Sequence, residues 1–219
     1  TGREYQITSA IGTGQKNVAN IDYAQAAPYM DYIFMMTYDF SGGWSKPNIG
    51  HHTALKAHSA NTWGFNGEQG MKNLLNAGVP AEKLVLGVAK YARGFDGVTL
   101  SSTGSILGGV ATGLFPKKEQ VWDEEGVAIY SRVAKDIIGP DGTGINGFEV
   151  IYDSECECSY AWRESDGAFV GFDHPRDIIN KANFTQANNL AGLFSWEYGQ
   201  DNGDLLNAMN HGLGNKLKS

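Results

Sequence analysis

Apolar residues gather in four short runs, at residues 5–11, 32–37, 84–89 and 192–196. The middle two, Tyr-Ile-Phe-Met-Met-Thr and Leu-Val-Leu-Gly-Val-Ala, are apolar almost without a break. A strand with one wet face alternates, whereas an uninterrupted run marks a parallel strand covered on both faces. All four runs are therefore read as buried strands. Helical spacing fills the intervals. Residues 21–29 make a short candidate. Over 67–77, Met71, Leu74 and Leu75 mark one face, Asn66 and Gln69 have capping-box spacing, and Gly78 with Pro80 supplies the stop. Residues 175–189 follow Asp173, read as the N-cap, with Pro175 in the first turn. Residues 204–213 carry Leu205, Leu206, Met209 and Leu213, with Gly212 and Gly214 at the end.

Strand and helix alternate four times, which predicts an α/β chain with a parallel sheet and right-handed crossovers. The interval between the third and fourth strands is far longer than one crossover helix needs. Residues 93–172 are read as an inserted subdomain, with β-type runs at 148–152 and 168–172 and a helical stretch near 131–138. In parallel α/β folds, ligands bind at the carboxyl ends of the strands. There the sequence puts Gly12-Thr13-Gly14, Tyr38-Asp39-Phe40, Tyr91-Ala92-Arg93 and Trp196-Glu197. Phenols, an indole, carboxylates and one guanidinium thus converge on one rim.

Composition narrows the ligand. A net charge of -7 with no basic run argues against nucleic acid and anionic membrane as partners. No stretch stays apolar for the roughly 18 residues a membrane-spanning helix requires. Aromatic faces in an acidic chain suit an uncharged ligand such as a sugar, whose ring faces stack while its hydroxyls bond Asp, Glu and Arg. Gly12-Thr13-Gly14 begins like a dinucleotide fingerprint, but Asn17 stands where the third glycine belongs. The P-loop, H-E-x-x-H, EF-hand and G-x-S-x-G patterns are absent from the sequence. Cys156 and Cys158 are the only cysteines and would close a tight ring if paired. His51, His52, His58, His174 and His211 supply no metal spacing with them, so neither metal nor cofactor is expected. His51 and His52 read as loop hydrogen-bonders. The chain opens at Thr1 without an apolar leader, as expected if a signal peptide was removed or the chain was cut from something longer.

At the rim the sequence resembles a known family. Phe34-Met35-Met36-Thr37-Tyr38-Asp39-Phe40-Ser41-Gly42 looks like the sixth-strand signature of glycoside hydrolase family 18 chitinases, and Gly50-His51-His52-Thr53-Ala54-Leu55 like the loop that follows in the bacterial chitinase A type. Ala89-Lys90-Tyr91-Ala92-Arg93-Gly94 resembles the seventh-strand motif, with Lys90 and Ala92 in place of the usual Met and Gly. Gly192-Leu193-Phe194-Ser195-Trp196-Glu197, followed by Asp201-Asn202-Gly203-Asp204, resembles the eighth strand. Gly171-Phe172-Asp173-His174-Pro175-Arg176 resembles the return from the family's α+β insertion domain. The resemblance implies the second half, strands five to eight, of a TIM (β/α)8 barrel, carried by residues 1–92 and 173–219, with the insertion at 93–172.

The family's D-x-x-D-x-D-x-E signature is absent; neither Asp141 with Glu149 nor Asp153-Ser154-Glu155 fits it. The resemblance therefore implies a chitinase whose catalytic acid lies outside this chain, and a missing amino-terminal half-barrel as partner. It would cleave β-1,4-N-acetylglucosamine linkages by the substrate-assisted retaining route. Tyr38 would bond the acetamide and Asp39 the sugar hydroxyls and the acid pair. Trp196 would floor the cleaved sugar, Met36 would pack on the acetyl group, and Trp44 would stack a leaving-group sugar. Tyr91 and Arg93 would line the same rim. Trp122 with Asp123 or Glu124 resembles a Trp-Glu pair on the non-reducing side. The family setting implies secretion and chitin or N-acetylglucosamine oligosaccharides as ligands. A non-catalytic chitin-binding lectin of the same fold is the alternative.

Overall fold

The computed structural model describes residues 5–60, 64–118 and 124–216. Strands β1 (Thr8–Gly12), β2 (Tyr32–Met36), β3 (Leu84–Ala89) and β10 (Gly192–Trp196) form one parallel sheet in the order β1-β2-β3-β10. Its two faces differ. On β2, Ile33 and Met35 are buried among Leu84, Leu86 and the apolar face of helix α3 (Gly67–Asn76). Phe34 and Met36, on the opposite face by strand alternation, are only half-buried. Helix α3 starts where expected, with Asn66 Oδ1 accepting the Gln69 N–H at 2.8 Å.

Three readings need correction. Of these four strands only β3 is buried along its whole length; β2, read as covered on both faces, leaves one face half-buried, and β1 and β10 are largely half-exposed, each an edge with a neighbour on one side only. The helix expected over 21–29 shortens to α2 (Tyr23–Ala26), which follows the short α1 (Gln15–Val18), and a 3-10 turn at Ala27–Tyr29, where Pro28 removes a backbone donor. Asp173 does not cap helix α5 (Pro175–Ala187). His174 does, its Nδ1 accepting the Arg176 N–H, while Asp177 accepts the His174 N–H at 2.9 Å. Asp173 is instead fully buried, its carboxylate 2.7 Å from Lys181 Nζ and accepting the Ala89 N–H at 2.9 Å. A buried ammonium demands a buried counter-charge, and that demand outranks a helix cap.

Directly after β3 the chain enters a second, antiparallel sheet. Its strands are β4 (Tyr91–Asp96), β5 (Gly113–Leu114), β6 (Val127–Ile129), β7 (Glu149–Asp153), β8 (Cys158–Arg163) and β9 (Ala168–Phe172). The order is β5-β4-β9-β8-β7, with β6 also on β4. Helix α4 (Tyr130–Val133), running on as a π-helical turn at Ala134–Ile138, packs with α5 and α6 (Asp204–Gly212) around one core holding Val88, Tyr130, Phe172, Ile178 and Leu205. Lys90 is the single residue between the two sheets. It is buried, with its ammonium 2.9 Å from Asp201 Oδ2. The charge that replaces the family's usual Met is thus paired. Cys156 and Cys158 are joined in a disulfide and buried beside Ala54. Among the described residues no helix is long and apolar enough to cross a membrane.

Burial, with the nearby charge of Asp173, pushes the Asp177 carboxyl up to about 7. Its folded value lies above the unfolded one, so between roughly pH 4 and 7 the native chain holds a proton that the unfolded chain has released. The associated stability is full below the unfolded carboxyl value and is lost as pH rises through about 7. Asp177→Asn should flatten the fall in urea-unfolding free energy over that interval. An unchanged pH slope would contradict the assignment.

Candidate functional site

The carboxyl ends of β1, β2, β3 and β10 open on one side of the parallel sheet. Asp39, just past β2, has φ 60°, the left-handed region that Asp tolerates better than most residues. Its N–H donates to His52 Nδ1 at 3.0 Å. Its carboxylate takes the Tyr91 hydroxyl at 2.7 Å and Arg93 Nε at 2.6 Å on Oδ1, and Arg93 Nη2 at 3.2 Å on Oδ2. One side chain thus ties the end of β2 to the first turn-out of β4. Burial alone would raise this carboxyl, but the hydrogen bonds from Arg93 and Tyr91 and the charge of Arg93 outweigh it and hold it below the usual carboxylate range. Burial pushes His52 down to about 3, so the ring is neutral and its Nδ1 keeps the lone pair that accepts from Asp39.

Tyr38 stands beside this knot. Its ring meets Tyr91 edge-on at 6.1 Å and Phe194 at 6.2 Å. Burial first, and then the charge of Asp39, push its hydroxyl up to about 12, so it remains a donor at neutral pH. Met36 and Phe194 pack against Tyr38, Ala89 and Tyr91. Trp196 lies two residues beyond Phe194 on the same strand face, opposite Ala89 in register, and is 56% exposed. Trp44 is 59% exposed and carries the Arg93 guanidinium over its ring at 4.8 Å. Gly42 makes room for that stack: a Cβ there would fall 2.7 Å from Trp44 and 2.8 Å from Arg93.

The structure therefore brings together Met36, Tyr38, Asp39, Trp44, Tyr91 and Arg93. Trp196 stands at the adjoining strand end. Glu124 is exposed and near enough for its charge to act on Arg93. Trp122 and Asp123 lie outside the described residues. Between Trp44, Tyr38, Asp39, Asn17 and Phe65 opens a cleft of about 250 Å³, and a hollow of about 520 Å³ adjoins it through Thr13, Gly14, Asn17 and Phe65. Sequence reasoning missed Phe65, which stacks on Phe40 at 6.4 Å. Its only signal was an aromatic in a long loop. His52 was read as a loop hydrogen-bonder, and its bond to Asp39 is what the sequence did not disclose. Among the described residues no metal-binding group of His, Cys, Asp or Glu includes a residue of this cleft.

The family model for glycosyl hydrolases family 18 matches residues 1–201. The chain belongs to that family. Chitinase A of Pseudoalteromonas piscicida is 40% identical over 97% of this chain and 28% of its own length. A chitinase of Autographa californica nuclear polyhedrosis virus is 36% identical over 96% of this chain and 36% of its own length. The chain thus spans about a third of the curated relatives it matches. Among solved structures, a family 18 N-acetylglucosaminidase from Paenibacillus barengoltzii superposes with a TM-score of 0.81 at 29% identity, covering 96% of this chain and 57% of that one. The architecture of this family 18 chain is accordingly of the TIM-barrel type.

Gly87, in the middle of β3, gives Tyr38 its seat. A Cβ there would fall 2.5 Å from the Met35 carbonyl oxygen and 3.0 Å from the Tyr38 ring. Gly87→Ala should cost about 1–3 kcal/mol in a denaturant melt and displace the Tyr38 ring in a crystal structure of the variant. A variant as stable as wild type with Tyr38 in place would show that the glycine is dispensable.

Proposed function

We propose that this chain is the carboxyl-terminal half of the catalytic barrel of a secreted chitinase, with residues 93–172 as its insertion domain. The parallel sheet with two open edges and the antiparallel sheet intercalated between β3 and α5 support that division. A disulfide is at home in an oxidising compartment, which supports secretion. The reaction is hydrolysis of β-1,4-linked N-acetylglucosamine. The observation that carries it is the Tyr38–Asp39–Tyr91–Arg93 knot, open to a cleft with exposed indoles at its rim, in a family 18 chain.

In this reading a glutamic acid outside the chain protonates the glycosidic oxygen. The substrate's own acetamide oxygen attacks the anomeric carbon, and water opens the resulting oxazolinium ion with retention. The residues of this chain hold the acetamide in line, where proximity replaces a bimolecular encounter. Tyr38, protonated at working pH, donates to the acetamide carbonyl. Met36 packs against the acetyl methyl. Asp39, ionised, accepts from sugar hydroxyls and acts on the acid pair, while Tyr91 and Arg93 line the rim that fixes it. Trp196 lies under the cleaved sugar. Trp44 offers a leaving-group sugar the indole face opposite Arg93, and Glu124, with Trp122 and Asp123, meets sugars on the non-reducing side. No metal or cofactor takes part.

The intact protein containing this chain, given chitin oligosaccharides, should release short N-acetylglucosamine sugars. Tyr38→Phe should lower kcat about 10²–10³-fold, the loss typical of one transition-state hydrogen-bond donor. Trp196→Ala should weaken oligosaccharide binding about tenfold or more, which is at least about 1.4 kcal/mol. Binding without release at any pH would leave the lectin reading instead. Neither binding nor release would refute both.

The half-barrel reading has its own consequence. With β1 and β10 open and Phe34, Met36 and Phe194 only half-covered, the isolated chain should self-associate or bind a separately expressed amino-terminal half. A clean, soluble monomer in light scattering would count against it.

A further inference from the structure

Behind the cleft, the loop after β2 is docked on the turn between β7 and β8. The Leu55 and Lys56 N–H groups donate to the Cys156 carbonyl at 3.1 and 3.0 Å, and Ser59 donates to Glu155 through its N–H at 2.7 Å and its hydroxyl at 3.0 Å. Lys56 pairs with Glu157 at 2.6 Å. This docking carries His51 to the two cysteines, across about a hundred residues of chain. One ring nitrogen of His51 and the sulfurs of Cys156 and Cys158 all lie within 4.8 Å of one another, and all three residues are buried.

One edge of the imidazole is already engaged. His51 Nε2 is 3.0 Å from Asp153 Oδ2, an oxygen that His58 Nε2 also approaches at 3.2 Å. Paired with a carboxylate oxygen, Nε2 is the donor of the neutral ring, and Nδ1 keeps its lone pair. That Nδ1 is buried, in a residue 2% exposed, and finds no hydrogen-bond partner among the described residues. Histidines that bind metals almost always donate their second N–H to a carboxylate in this way. A buried imidazole and two sulfurs make the donor set of a thiophilic cation, and ligands at about 2.0–2.3 Å from one zinc ion sit only ~3.5–4 Å apart.

We propose that His51, Cys156 and Cys158 form a redox-gated site for a thiophilic divalent cation of the zinc type. In the disulfide form the site is closed. A dithiol reductant opens it: the Cys156–Cys158 bond breaks, each sulfur gains one electron and one proton, and the reductant's two thiols become its own disulfide. Binding of the cation then releases both cysteine protons to solvent and forms bonds to two thiolates and His51 Nδ1, with water completing a fourth position. The site does not depend on the chitinase reading, since none of its ligands lines the cleft.

Co²⁺ is the probe that tests it. The intact protein, reduced with dithiothreitol and desalted without air, should bind Co²⁺ at one ion per chain, with thiolate-to-cobalt absorption in the near ultraviolet and tetrahedral bands in the visible. The oxidised protein should show neither. Cys158→Ser and His51→Ala should each weaken Co²⁺ binding by about 100-fold or more. Reduced wild type without the thiolate band, or His51→Ala binding as tightly as wild type, would overturn the assignment. Should a variant fail to fold, wild type still decides: Zn²⁺ must raise the Tm of the reduced protein and leave that of the oxidised protein unchanged, and equal shifts, or none, would reject the site.

Discussion

One carboxylate organises the mouth of this molecule. Asp39 receives three hydrogen bonds from β4 side chains while its own amide is fixed by His52. The arrangement is reciprocal. Arg93 is largely buried and requires a counter-charge, and the bidentate contact supplies both charge and direction. Tyr91, deeper still, requires an acceptor for its hydroxyl. Replacing Asp39 by an apolar residue would strand a buried cation and a phenol at once, and would cut the polar link between the parallel sheet and the antiparallel one. The left-handed backbone at Asp39 is what aims the carboxylate back across the sheet end, and the neutral His52 ring is what holds that backbone.

Two buried ammonium groups hold the place where the sheets join. Ala89 donates its N–H to Asp173, which pairs with Lys181 on α5. Lys90 pairs with Asp201, whose carboxylate also accepts the Leu205 and Leu206 N–H groups at the start of α6. Burial would raise Asp201, yet Lys90 and the helix amides outweigh it and keep it below the ordinary range. Ala89 and Lys90, at the sheet junction, are thus anchored to two different helices through charge. Burying charge this way contributes little net stability, but loss of one partner leaves an unpaired ion in the core, so the geometry at the junction is sharply specified. Tyr91 and Arg93 begin one and three residues later and inherit that precision.

What the sequence disclosed, and what it withheld, divides along physical lines. The runs of β2 and β3 were legible as strands inside the sheet, and β3 is covered on both faces, although β2 keeps the face of Phe34 and Met36 only half-covered. The same pattern misled for β1 and β10, since a single strand does not state whether it is an edge. Helix α3 was legible from its own caps and periodicity. Asp173 looked like a cap because local sequence cannot show the Lys181 ammonium eight residues on turning inward to meet it. Tyr38, Asp39, Tyr91, Arg93 and Trp196 were legible as a set, because strand ends are countable and the family motifs sit on them. The contacts of His51 and His52 were not, because they are made across the long loop after β2 and a hairpin a hundred residues away. Periodicity is silent about such pairings.

The chemistry of the mouth follows from how its charges are spent. Asp39 is negative, but Arg93 compensates it within the same hydrogen-bonded pair, and the adjacent Tyr38 remains neutral. The guanidinium, in turn, lies against one face of Trp44 rather than pointing freely into the cleft. The rim at Tyr38, Asp39, Arg93 and the two indoles is thereby left with aromatic faces, one polarised hydroxyl and a fixed acceptor. Such a surface has little to offer a phosphate, which would meet Asp39, or a cation, which would meet Arg93. The proposed sugar ligand, a neutral ring with hydroxyl and amide groups, would offer apolar faces to the indoles and polar edges to Tyr38 and Asp39. The same pairing that fixes Asp39 is therefore what leaves its charge and that of Arg93 spent on each other.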